Sequence, residues 1–111
     1  MKITNFPNYV VLEDEKSDIK DFVSFLEKQI KDKYQNQNVV VNLLPYKSFE
    51  LKDLLLFLKI SDEHRKNKNS FVLVNNLIEI DDIPPELVVV PTLQEAGDII
   101  EMEEIERDLG F

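Results

Sequence analysis

One stretch constrains this chain more than any other: Val39-Val40-Val41-Asn42-Leu43-Leu44-Pro45-Tyr46-Lys47-Ser48-Phe49-Glu50, running directly into Leu51-Lys52-Asp53-Leu54-Leu55-Leu56-Phe57-Leu58. Three β-branched residues without polar alternation describe a strand covered on both faces, as parallel strands are. Pro45 lacks the amide proton that a ladder needs, so the strand must end before it. Ser48 is placed to cap a helix whose Leu51, Leu54, Leu55 and Leu58 recur at helical spacing, in an apolar arc widened by Leu56, Phe57 and Ile60. The turn between strand and helix is where a functional group would be displayed.

The flanking segments repeat the alternation. Lys2 to Phe6 alternates polar and apolar, Pro7-Asn8 is a turn pair, and Tyr9-Val10-Val11-Leu12 is rich in β-formers. So short a separation requires an antiparallel hairpin, with the first strand at the exposed edge. Ser17 is the expected cap of a first helix over residues 17–34, in which Ile19, Phe22, Val23, Leu26 and Ile30 share one face. Phe71-Val72-Leu73-Val74 is a further buried strand ending at Asn75-Asn76.

Residues 77–87 contain Pro84-Pro85 and are expected to connect rather than to form regular structure, with room for one short turn. Val88-Val89-Val90 is a short last strand. Thr92 and Glu95 then make a capping box for a final helix, expected to turn Leu93, Ala96, Ile99, Ile100 and Ile105 inward and to end near Gly110. The order β-β-α-β-α-β-β-α calls for an α/β fold: a mixed, mostly parallel sheet with an antiparallel hairpin and about three helices. At 111 residues it is expected to be a single domain spanning 1–111.

Composition then narrows the function. Twenty-two acids against 13 bases leave a net charge of −9, which opposes binding to nucleic acid or to anionic lipid. No apolar run approaches the ~20 residues of a membrane span, and the N-terminus lacks the pattern of a signal peptide. A cytoplasmic location is expected. The absence of cysteine excludes disulfides, thiolate metal sites and a thiol nucleophile.

Chemistry finds little support. His64, the single histidine, lies among Glu63 and Arg65 without a metal-ligand partner at helical spacing, and is expected at the surface. Glycine occurs only at Gly97 and Gly110, so no glycine-rich phosphate loop can form. Ser24, Ser48, Ser61 and Ser70 sit in no nucleophile pattern. No enzymatic activity and no cofactor are expected. Glu79, Asp81 and Asp82 could offer hard oxygen ligands to a divalent cation or small ligand, although adjacent loop carboxylates are usually just solvated. The last helix sets Glu95, Asp98, Glu101, Glu103, Glu104, Glu106 and Asp108 against Arg107 alone, which is either a solvated face or an acidic docking surface. The apolar Phe111 fits packing or docking equally.

Two resemblances follow from these residues. Val10-Val11-Leu12-Glu13-Asp14-Glu15 before a helix resembles the opening of a response-regulator receiver domain. The likeness fails downstream, where Asn42 to Leu44 and Val90-Pro91 supply neither the phosphoaccepting aspartate nor the lysine, leaving at most a degenerate receiver-like domain. Val39-Val40-Val41-Asn42, Leu54-Leu55-Leu56-Phe57, Phe71-Val72-Leu73-Val74-Asn75 and Val90-Pro91-Thr92-Leu93-Gln94-Glu95-Ala96 resemble the STAS domain, the sulphate-transporter and anti-sigma-factor-antagonist family, over nearly the whole chain.

That resemblance implies a STAS-like mixed sheet and a non-catalytic, regulatory protein-interaction domain with a protein partner. Where antagonist members carry Asp-Ser-Ser-Gly, this chain reads Glu50-Leu51-Lys52-Asp53, so the phospho-switch is not implied. The expected partner-binding residues are Tyr46, Lys47, Ser48, Phe49 and Lys52 at the turn, or Glu101, Glu103 and Glu104 on the acidic last helix.

Overall fold

The computed structural model describes residues Met1–Gly110; Phe111 lies outside the described residues. Five strands, β1 (Lys2–Asn5), β2 (Val10–Glu13), β3 (Val39–Asn42), β4 (Phe71–Val74) and β5 (Val89–Val90), form one sheet in the order β1-β2-β3-β4-β5. β1 is antiparallel to β2 with Ile3 opposite Leu12, and every other pair is parallel. The helices are α1 (Ile19–Lys33), α2 (Leu51–Leu55), α3 (Leu58–Lys66) and α4 (Leu93–Asp108). This is the mixed α/β architecture and element order expected from the sequence, and it is consistent with a STAS-like fold.

Because sequential parallel strands advance in one direction across the sheet, right-handed crossovers put their helices on the same face. Phe22, Leu26 and Ile30 of α1 and Leu54, Phe57 and Ile60 of α2 and α3 accordingly share one core with Val10, Leu12, Val39, Val41, Phe71 and Leu73. The other face has only α4, whose Ala96 and Ile100 pack on Val11, Val40, Val72 and Val74. All four residues of β3 are buried, as its unalternating sequence requires. Gly97 permits a close approach there, since a Cβ would meet the Tyr9 hydroxyl at 3.0 Å. β1 is exposed throughout.

Several local expectations are corrected. Asp18, not Ser17, caps α1, its carboxylate accepting from the Asp21 amide at 3.2 Å. Ser17 takes a left-handed φ of 57°. Glu50, not Ser48, precedes α2, and the Asp53 carboxylate accepts from the Glu50 amide at 3.0 Å.

The expected second helix is two segments, because the amides of Leu56 and Phe57 bond three residues back, to Asp53 and Leu54. A turn of three residues brings Leu54 and Phe57 over one another on the inner face. Leu51 and Leu55 consequently point outward, 38% and 41% exposed. On α4, Leu93 and Ile105 are likewise exposed rather than inward.

His64 is the largest correction. It is 2% exposed, with its ring edge against Phe71 at a centroid distance of 6.1 Å and Nε2 2.6 Å from the Gln37 carbonyl oxygen. Asp62, Glu63 and Lys66 lie exposed on the other faces of α3, while Ile60, Ser61 and His64 share the inner one.

Candidate functional site

The turn after β3 is built from the last residue of the strand. Asn42 Nδ2 donates to Glu13 Oε1 at 2.7 Å and Asn42 Oδ1 accepts from the Leu44 amide at 3.1 Å, so one side chain ties the turn to the neighbouring strand end. The Tyr46 hydroxyl reaches across and donates to Asp14 Oδ2. Asp14 in turn accepts from the amides of Lys16 at 3.0 Å and Asp18 at 3.1 Å, which shapes the loop into α1. Burial, then the Asp14 carboxylate, then the charges of Asp18 and Asp53 push the Tyr46 phenol far above its ordinary range. Tyr46 is thus a strut held in its neutral, donating form, with Phe49 tilted beside it at 6.0 Å.

Of the residues expected at the turn, Lys47 and Ser48 are exposed and Tyr46 is half-buried. Lys52 is exposed and pairs with Glu50 at 3.3 Å. Phe49 is 5% exposed and faces the core, so its side chain supports the turn from within. The three acids expected on the last helix divide. Glu101 is exposed, whereas Glu103 pairs with Arg65 at 3.2 Å and Glu104 accepts from Asn8 Nδ2 at 3.1 Å. Those partners lie at the N-terminal ends of the parallel strands, so the two expected surfaces occupy opposite ends of the sheet.

The carboxylates that follow β2 do not converge. Glu13 serves Asn42, Asp14 serves Tyr46 and the loop amides, and Glu15 pairs with the Met1 amino group at 3.3 Å. Glu79, Asp81 and Asp82 are all exposed around a 3-10 turn at Ile80–Asp82. Among the described residues no three His, Asp or Glu side chains come close enough together to hold a metal ion.

What sequence reasoning missed is the apolar character of the rim formed by the connections that leave the strand C-termini. Leu51 and Leu55 after β3, Leu77 and Ile80 after β4 and Leu93 after β5 are all exposed, Ile80 by 80%. A shallow groove of about 130 Å³ reaches Leu93, between the hairpin and the start of α4, with Phe6, Tyr9 and Val11 also among its walls. Asn75, 4% exposed just after β4, leaves Nδ2 without a partner among the described residues. The signal available in the sequence was an apolar arc on the second helix too broad for one buried face.

The rim is also where the charge resides. Residues 13–18, 43–53, 75–88 and 91–95 carry eleven carboxylates against three lysines, a net charge of −8 within a chain of −9. No family model matches the chain, and no curated protein matches it. No helix among the described residues is long and apolar enough to cross a membrane.

Proposed function

We propose that this chain is a non-catalytic, STAS-like interaction domain of regulatory character, acting in the cytoplasm and lacking a phospho-switch. It receives a protein partner on the rim at the C-terminal ends of its parallel strands. The observation that carries this reading is the combination of exposed Leu51, Leu55, Leu77, Ile80 and Leu93 with a surrounding charge of −8. Apolar anchors inside a charged border are the anatomy of a recognition surface, and the charge selects a partner with a basic rim around an apolar centre. The Asn42 and Tyr46 bonds hold the turn in one conformation, which lowers the ordering cost of binding.

The resemblance of residues 39–75 and 90–96 to the STAS family supports the same end of the sheet, since that family's switch segment aligns with Glu50 to Asp53. No serine or threonine stands within those four positions, so recognition here is constitutive.

Affinity capture from native lysate tests the proposal with two variants. A rim variant, Leu51→Ser with Leu55→Ser, is expected to lose a stoichiometric partner that the parent retains. Charge reversal at Glu101, Glu103 and Glu104 is expected to leave that partner bound, because these residues sit at the other end of the sheet. Retention by the rim variant and loss by the helix variant would transfer the surface to α4.

A further inference from the structure

The end of the sheet opposite the rim differs in chemistry. Gln35-Asn36-Gln37-Asn38 feeds β3 and Asn67-Lys68-Asn69-Ser70 feeds β4, so amides rather than carboxylates dominate. A cleft of about 440 Å³ opens between the end of α3 and the last turns of α4, walled by Arg65, Lys68, Asn69, Glu103, Glu106 and Arg107. A second, of about 320 Å³, shares Lys68, Asn69 and Arg107 with it and continues over Asn36, Gln37 and Asn38.

Three cations, Arg65, Lys68 and Arg107, line the first cleft. Arg65 and Glu103 neutralise each other. Arg107 meets no carboxylate among the described residues, although the chain has 22 acids. It donates instead to Ser70 Oγ at 3.2 Å and Asn38 Oδ1 at 3.3 Å. Ser70 is fully buried and Asn38 is 8% exposed, and Asn38 is itself fixed by the Asn8 carbonyl at 2.9 Å and the Ser70 amide at 2.8 Å. The guanidinium is therefore oriented by neutral groups, and among the described residues three of its five N–H donors meet no acceptor.

Lys68 supplies the second observation. Its φ is 64°, the left-handed region that glycine and asparagine enter most readily. It closes α3 with its amide on the Arg65 carbonyl at 2.9 Å, while the Asn69 amide reaches His64 at 3.3 Å. Asparagines flank it on both sides, yet the lysine takes the strained position and joins Arg107 on the wall common to both clefts. Strain retained at a cleft wall points to use.

We propose that this cleft binds a small hydroxylated phosphomonoester, its phosphate between Lys68 and Arg107 and its polar body over Asn69 and the side-chain amides of Asn36 and Gln37. Guanidinium and ammonium together match a phosphate, and amides donate to and accept from hydroxyls. Glu104 and Glu106 also line the clefts and oppose negative charge there, so the phosphate contact rests on Lys68 and Arg107 acting together. The proposal is independent of the partner rim, which lies at the opposite end of the strands.

Glycerol 3-phosphate titrated into isotopically labelled protein, with sodium chloride at equal ionic strength as the reference, provides the test. Saturable shifts of backbone amides in residues 36–38, 66–70 and 104–110 are expected. Arg107→Gln is expected to abolish them. Lys68→Gly is expected to weaken binding about tenfold while raising the melting temperature, since it removes a charge-assisted contact and relieves the backbone. Shifts that fail to saturate or that sodium chloride reproduces would overturn the proposal. So would a Lys68→Gly variant that binds as tightly as the parent, because the left-handed lysine would then be only a helix cap.

Discussion

Acidification through pH 6 should destabilise this protein through one residue, His64. A carbonyl oxygen only accepts, so the 2.6 Å contact with Gln37 requires the proton on Nε2 and leaves Nδ1 bare. Protonating Nδ1 would place a charge at a site 2% exposed, against Phe71. Burial, opposed in part by the Gln37 carbonyl and reinforced by the charge of Arg65, holds the folded-state pKa below its ordinary value of 6.5.

The unfolded chain therefore takes up the proton first. Stability is fully present above about pH 6.5 and declines as pH falls below it, with a limiting slope of about 1.4 kcal/mol per pH unit for one proton. The decline levels off below the folded-state value. His64 is the chain's single histidine and there is no cysteine, so no other side chain ordinarily titrates in this window. Relief of repulsion within a chain of −9 would act in the opposite direction, and it begins only where carboxylates protonate, nearer pH 4 to 5.

Urea unfolding at half-unit steps from pH 8 to 5.5, paired with the NMR titration of the imidazole C–H, measures both sides of the linkage. A C–H resonance titrating at or above pH 6.5, or a midpoint unchanged from pH 8 to 5.5, would refute the reasoning.

Further outcomes follow from the same contacts. Leu54→Ala, at a position fully buried in the principal core, should cost about 2 to 5 kcal/mol in urea unfolding, whereas Leu55→Ala, 41% exposed, should cost less than about 0.5; equal costs would refute the inward turn at Leu54 and Phe57. Tyr46→Phe should lose about 1 kcal/mol and abolish a late phenol ionisation in the ultraviolet pH titration. Because the Tyr46 phenol is raised when folded, its contribution is present below about pH 10 and is lost as pH climbs beyond that value. Thr92→Ala should cost about 1 kcal/mol, since Thr92 Oγ accepts from the Glu95 amide at 3.1 Å and donates to the Glu95 carboxylate at 2.9 Å.

Local pattern determined the order and type of the elements of this protein. The antiparallel hairpin, the doubly covered β3, the short turn in residues 77–87 and the Thr92 cap all depend on neighbours a few residues away, and all are legible in periodicity, proline and capping chemistry. The site was legible only as a place, the turn that Pro45 starts. Its working parts required the sheet.

The chain tightens between α2 and α3 at Leu56 and Phe57, and packing on the sheet leaves Leu51 and Leu55 outward and His64 inward. The strand ends bring Asp14 to Tyr46 across 32 positions and Asn38 to Arg107 across 69. A helix read alone has one apolar arc and one acidic face. Packing decides which leucines remain on the surface, which acids are already paired, and that the lone arginine of the acidic helix ends on neutral amide and hydroxyl groups beside a lysine held in a left-handed turn.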